Sequence, residues 1–218
     1  MIITDSTDKP SNRFIEVVKP YFESQGFSYH KSKKHFSRDF THGTQTIGFW
    51  FRIGILTDAS LHWSIQFEKL EKICAVIRGT PRKYNSSVTL ATDMPNYTRW
   101  EPNPEHTFYL YDESSLLYDD FSINKAAQKI IAGYEKYTIP FFGKYQDYQD
   151  LYKSFSSNDG FTGFKEVLLS KYFEIADFDK LISKYEFEVL RRNDDLEIAL
   201  YKGLVHFLQT EDIKKWLD

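Results

Sequence analysis

The side chains best suited to metal binding or nucleophilic attack are six histidines and one cysteine. No two histidines form a His-x-His or His-Glu-x-x-His pattern, and Cys74 has no second cysteine beside it. Structural zinc sites depend on such closely spaced pairs. The sequence therefore predicts no metal and no cofactor. Cys74 lies on the apolar face of a predicted helix, so we expect a buried, inert thiol.

Charged residues form three short clusters along the chain. The carboxylates of Asp119-Asp120 and Asp194-Asp195-x-Glu197 each precede or open a predicted helix. Negative charge is favoured at helix N-termini, so helix capping is expected at both places, with a catalytic dyad as the alternative. The basic run from His30 to His35 is expected to be a solvated loop and strand start, with a patch for an anionic ligand as the alternative.

The rest of the chain is expected to pack on residues 45–67, where apolar side chains occupy every second position in two runs. Such alternation, rich in aromatic and β-branched residues, is typical of half-buried strands. It predicts a β-hairpin whose two apolar rows share one face, so odd positions must oppose odd positions. In the predicted register, Ile55 faces Leu61, Ile53 faces Trp63 and Phe51 faces Ile65. Buried positions are expected at Phe49, Phe51, Ile53, Trp63 and Ile65.

The even-numbered side of this hairpin carries a tryptophan and an arginine among neutral polar groups, a composition that recognition surfaces share. The candidate binding residues there are Trp50, Arg52, His62 and Gln66, with Trp50 facing Gln66. Two alternatives stay open. This side can be the plain solvent face of an antiparallel sheet, or later helices can cover it.

Arg38 is a fifth candidate binding residue, on the preceding strand. The register sets it on the apolar side of the sheet, where a lone charge is costly. We expect its guanidinium either to reach water at the sheet rim or to pair with a buried carboxylate.

Residue patterns further along the chain predict an α+β fold. An antiparallel meander of about five strands packs on helices, and an all-helical C-terminal region follows. We divide the chain into a sheet domain, 1–142, and a helical region, 143–218, docked on it, with one integrated domain as the alternative. The hydrophobic share of 41% supplies ample core.

Composition and motifs also suggest where the protein works. One cysteine fits a reducing compartment, and neither a signal sequence nor a membrane-length apolar run is present. We therefore expect a soluble, cytoplasmic protein without membrane partners. The net charge of −3 argues against nucleic acid as a partner.

Four short motifs resemble a bacterial family, the domain of unknown function 4304. They are Val18-Lys19-Pro20 followed by Gly26-Phe27, then Phe36-x-Arg38, then Gln45-x-Ile47-x-Phe49, and a helix ending in Tyr137-Thr138-Ile139-Pro140-Phe141-Phe142. The resemblance covers about residues 13–142. It implies a fold and no activity, because the family has none assigned.

Two classes of function follow from these observations. The favoured one is a non-catalytic binding or protein-interaction module that uses the exposed sheet face, as an immunity or adaptor protein would. The alternative is an enzyme acting on a small anionic molecule with Arg38, Arg52 and His62. An enzyme needs a titratable group and a cation to converge in a cleft, whereas an interaction module needs only a flat, partly apolar patch.

Overall fold

The computed structural model describes residues 9–53, 57–80, 88–93, 116–156 and 163–218. Its five main strands form an antiparallel sheet in which each strand lies next to the one that follows it in the sequence. A sixth strand of two residues pairs with the fourth. The strands are β1 (Ser28–His30), β2 (His35–Phe40), β3 (Gly43–Ile53), β4 (Thr57–Phe67), β5 (Leu90–Asp93) and β6 (Leu116–Leu117).

Helices precede, interrupt and follow this sheet, which confirms the predicted α+β class and the helical C-terminal region. The α-helices are α1 (Pro10–Ser24), α2 (Glu68–Ile77), α3 (Asp120–Gly133), α4 (Ile139–Lys144), α5 (Tyr148–Ser156), α6 (Phe164–Tyr172), α7 (Phe178–Arg192), α8 (Asp195–Thr210) and α9 (Ile213–Leu217). A π-helical turn, Tyr134–Thr138, joins α3 to α4.

The β3–β4 hairpin differs in register from the prediction. At its open end, the Glu68 amide donates a 2.9 Å hydrogen bond to the His42 carbonyl. Farther along, the His62 ring lies against Gly48. Both contacts are incompatible with a register that pairs Ile53 with Trp63, so that prediction is wrong. Strand β4 begins at Thr57, before Leu61, the residue that the predicted register sets opposite Ile55.

The shift spans an even number of residues, so the two faces keep their identity. Phe49, Trp63 and Ile65 are buried, as predicted. Phe51 is only half-buried, because it lies towards the end of the core, with its ring edge-on to Phe14 at 5.9 Å. The side chain of Ile53 and the whole of Ile55 lie outside the described residues.

An aromatic cluster fills the space between the sheet and helix α1. The Phe14 ring lies 5.3 Å from Phe49, and Phe22 lies 5.2 Å from both Phe36 and Tyr134. All five side chains are at most 7% exposed. Helix α1 therefore sits on the odd-numbered face of β3, as the alternation predicts.

Pro140 changes the helix before it without ending it. Proline has no amide hydrogen and its ring clashes with the preceding turn. The chain widens into the π-helical turn, where the Ile139 amide bonds to the Tyr134 carbonyl, and then continues as α4. Phe141 and Phe142 are thereby buried, and Phe141 packs 6.1 Å from Trp63.

The chain forms two compact units, neither of them continuous in sequence. The first contains residues 1–40, 44–65 and 90–143, and the second contains 41–43, 66–89 and 144–218. Within the second unit, α2 contacts α8 and α9, and α7 packs between α6 and α8. None of the helices in the described ranges is long and apolar enough to cross a membrane.

Candidate functional site

Trp50 and His62 form an aromatic pair on the even-numbered face of the hairpin. Their ring centroids are 4.7 Å apart and the planes differ by 23°, which is a stacked arrangement. Trp50 is 55% exposed although it lies in the middle of a long strand. Stacking holds the indole in place while leaving its outer surface in solvent, as an anchor for a partner requires.

Gly48 makes this stack possible. A Cβ atom at this position would collide with the His62 imidazole, so only glycine lets the ring lie across strand β3. A glycine inside a strand often marks such a close approach. The sequence shows this glycine between Ile47 and Phe49, but the register of the hairpin was predicted from the alternation alone.

Two further candidates were predicted on the same face. The side chain of Arg52 lies outside the described residues. Gln66 is half-buried and belongs to the second compact unit. The predicted pair of Trp50 with Gln66 is wrong, because the shifted register places Trp50 beside His62 instead.

Arg38 lies in the aromatic core of the first unit. Its guanidinium carbon is 4.5 Å from the centre of the Phe27 ring and 5.7 Å from that of Phe142. Its Nε donates to Gln45 Oε1 at 2.8 Å, and Nη1 donates to the Gln25 carbonyl at 2.9 Å. Among the described residues, aromatic faces and neutral oxygens, and no carboxylate, contact the guanidinium. The predicted pairing with a buried carboxylate is therefore wrong, whereas Arg38 stays partly exposed, as the alternative at the sheet rim expects.

Arg38 and His62 consequently lie on opposite faces of the sheet. Arg38 packs with residues of the core, and His62 stacks on the outward-facing Trp50. These two groups do not converge in one cleft, as an enzyme that uses both of them would require.

A buried ion pair in the second unit is the other polar cluster that could carry chemistry. The Glu71 side chain is fully buried, and Lys165 Nζ lies 2.6 Å from its Oε1. Thr89 donates a 2.9 Å hydrogen bond to the same oxygen and accepts one from the Phe67 amide. Lys165 also donates to the Val88 carbonyl at 3.2 Å. These contacts join α2, α6 and the segment before β5, so the cluster has a structural role.

Cys74 lies one helical turn from Glu71 and is fully buried. Burial, followed by the nearby Glu71 charge, raises the pKa of its thiol to about 12. A thiol in this state stays protonated at neutral pH and is a poor nucleophile, as the sequence predicts.

The acidic clusters are helix caps. Asp119 accepts a 2.7 Å hydrogen bond from the Ser122 amide, and Ser122 Oγ accepts one from the Asp119 amide in return. The hydrogen bonds from Ser122 lower the pKa of Asp119. Asp194 caps α8 through the Glu197 amide at 2.9 Å. The capping interpretation is confirmed for both clusters.

No family model, curated protein or solved structure matches this chain.

Proposed function

We propose that this protein is a non-catalytic binding module that recognises another protein through the outer face of the β3–β4 hairpin. The observation that carries the proposal is the exposed Trp50 indole, stacked on His62 over Gly48. A large aromatic side chain fixed on a strand loses little conformational entropy when it is bound, which favours affinity.

The polar surroundings of Trp50 support a protein partner. On the same face, Thr46 and Ser64 are half-buried hydroxyl residues, and Ala91 of β5 is exposed. The register of β4 with β5 also sets Asp93 opposite His62. A central aromatic residue surrounded by small and polar residues is a usual arrangement for an interface hot spot and its rim. Membership of the family named domain of unknown function 4304, and a bacterial, cytoplasmic setting, belong to the same proposal.

The test compares Trp50→Ala with a matched control, Phe187→Ala. Phe187 lies on α7, in the second unit, and is 65% exposed, so it offers a similar apolar surface on a different element. Tagged wild-type and variant proteins are incubated in an extract of the source cells, and the bound proteins are quantified by mass spectrometry. The partner recovered is then purified and titrated.

We expect Trp50→Ala to weaken binding by roughly thirtyfold or more, as the loss of a central aromatic residue does. The free energy of unfolding should change by less than about 1 kcal/mol, because the indole is mostly exposed. Phe187→Ala should bind like the wild type. If Trp50→Ala unfolds the protein, or if both variants bind equally well, the outer face is not the recognition surface.

A further inference from the structure

A basic groove lies between helix α1 and the turn that connects β1 to β2. It encloses about 810 Å³ and includes five cationic side chains in its lining. A volume of this size is typical of pockets for small molecules. The cations are Lys9, Arg13, Lys19, Lys31 and Lys34.

The carboxylates near the groove do not neutralise all five cationic side chains. Glu16 is the carboxylate in the lining, Arg13 pairs with Asp120 outside it, and Lys19 lies 3.9 Å from Glu23. Lys9, Lys31 and Lys34 form no ion pair with any residue in the part of the chain that the structure describes. Three ammonium groups therefore face one groove without an ion-pair partner among the described residues, in a protein whose net charge is −3.

The start of α1 adds to the positive potential. Lys9, the N-cap residue of this 15-residue helix, makes no capping hydrogen bond with its side chain, and the first turn contains no acidic residue. The dipole of such a helix favours an anion near its N-terminus. Lys9 and Arg13 flank this end and also line the groove.

The opposite wall is a turn held in an uncommon conformation. Lys34 has φ of 54°, in the left-handed region that non-glycine residues rarely adopt. The turn brings Lys31 and Lys34 to the groove beside Tyr29, while Lys33 between them does not line it. Burial, and then the Glu16 charge, raises the pKa of the Tyr29 hydroxyl, so it is available as a hydrogen-bond donor.

We propose that this groove binds a small molecule bearing two or more linked phosphate groups. Lysine ammonium groups are point charges that suit phosphate oxygens, and several of them around one pocket match a chain of phosphates better than a single carboxylate. The overall negative charge of the protein disfavours long nucleic acids, whose binding depends on a wide basic surface. This site is separate from the Trp50 surface, so the two proposals stand or fall independently.

The experiment measures binding of inorganic tripolyphosphate by isothermal titration calorimetry at 0.15 M salt. The test variant is Lys31→Gln/Lys34→Asn, in which asparagine tolerates the left-handed conformation of residue 34. The matched control is Lys33→Gln, which removes the same charge from the same turn. We expect saturable 1:1 binding, weakened at least about tenfold in the test variant and less than about twofold in the control.

Three results would overturn the proposal: no saturable binding, an equal loss in Lys33→Gln, or tighter binding of an RNA duplex or a glutamate-rich peptide through the same lysines. Equal binding of inorganic monophosphate would also count against linked phosphates. Thermal melting of each variant checks that it is folded. If the double variant melts early, Lys31→Gln alone takes its place, since residue 34 is then unchanged.

Discussion

Glu71 is a fully buried carboxylate in the second unit. Its carboxylate is taken fully out of water and is stabilised by Lys165 and Thr89. A buried ion pair adds little net stability compared with apolar residues, but removing one partner leaves an uncompensated charge. The cost of losing Lys165 should therefore be large.

We expect Lys165→Met to lower the free energy of unfolding by about 3–5 kcal/mol, measured by urea denaturation at neutral pH. Glu71→Gln/Lys165→Met should recover most of this loss, because the neutral amide still accepts the hydrogen bond from Thr89. A loss below about 1 kcal/mol in the single variant would mean that Lys165 does not compensate the buried charge.

For single residues, the surroundings of a side chain were predicted better where the residues that contact it are close to it in the sequence. The caps at Asp119 and Asp194 follow from residues three positions away, and both were predicted. Arg38 was placed on the correct face, but its aromatic contacts were not predicted. Its aromatic neighbour Phe142 is far away in sequence, and no local pattern indicates that contact.

At the scale of elements, the packing on the outer face of the hairpin depends on the absence of a side chain at Gly48. Gly48 leaves room for His62, and His62 in turn supports Trp50. A methyl group at position 48 would collide with ring atoms of His62 and push the imidazole away from strand β3.

We expect Gly48→Ala to destabilise the protein by about 1–3 kcal/mol, as overpacking does, and to shift the fluorescence of Trp50 as its stacking partner moves. Gly143→Ala is the matched control. It lies in α4, where an added Cβ meets nothing within 4 Å, so it should be neutral or stabilising by up to about 1 kcal/mol. Unchanged fluorescence in Gly48→Ala would contradict the stack.

The hairpin also shows what alternation can and cannot predict. Alternation assigns each side chain to a face, and Phe49, Trp63 and Trp50 are on the faces expected. Any even shift of register satisfies the same pattern. The true register depends on contacts such as that of Gly48 with His62, which the alternation does not contain. The helical character of the C-terminal region was predicted correctly, because helical apolar spacing is a local pattern.

At the scale of the molecule, the second unit combines α2 with helices encoded much later. The apolar face of α2 includes Leu70, Ile73 and Ile77, and α2 contacts α8 and α9. The sequence predicted a division near residue 142, but it could not indicate that α2 groups with the C-terminal helices. That grouping depends on packing between distant segments.

We expect a fragment of residues 1–143 to be insoluble or to melt well below the full chain. It retains α2 but lacks the helices that cover it, and each exposed Leu or Ile loses about 1.5–3 kcal/mol of burial. Co-expression with residues 144–218 should restore solubility, which is measured as the soluble fraction after lysis. A fragment that melts at the temperature of the full chain would show that α2 does not need those helices.

The same discontinuity has a consequence for synthesis on the ribosome. Helix α2 leaves the exit tunnel well before α8 and α9 are translated. At usual elongation rates, its apolar face therefore stays uncovered for on the order of ten seconds. During that interval, Leu70 and Ile73 are available to chaperones and to neighbouring nascent chains. Translation speed along residues 78–213 should therefore influence the yield of folded protein, even where the amino-acid sequence is unchanged.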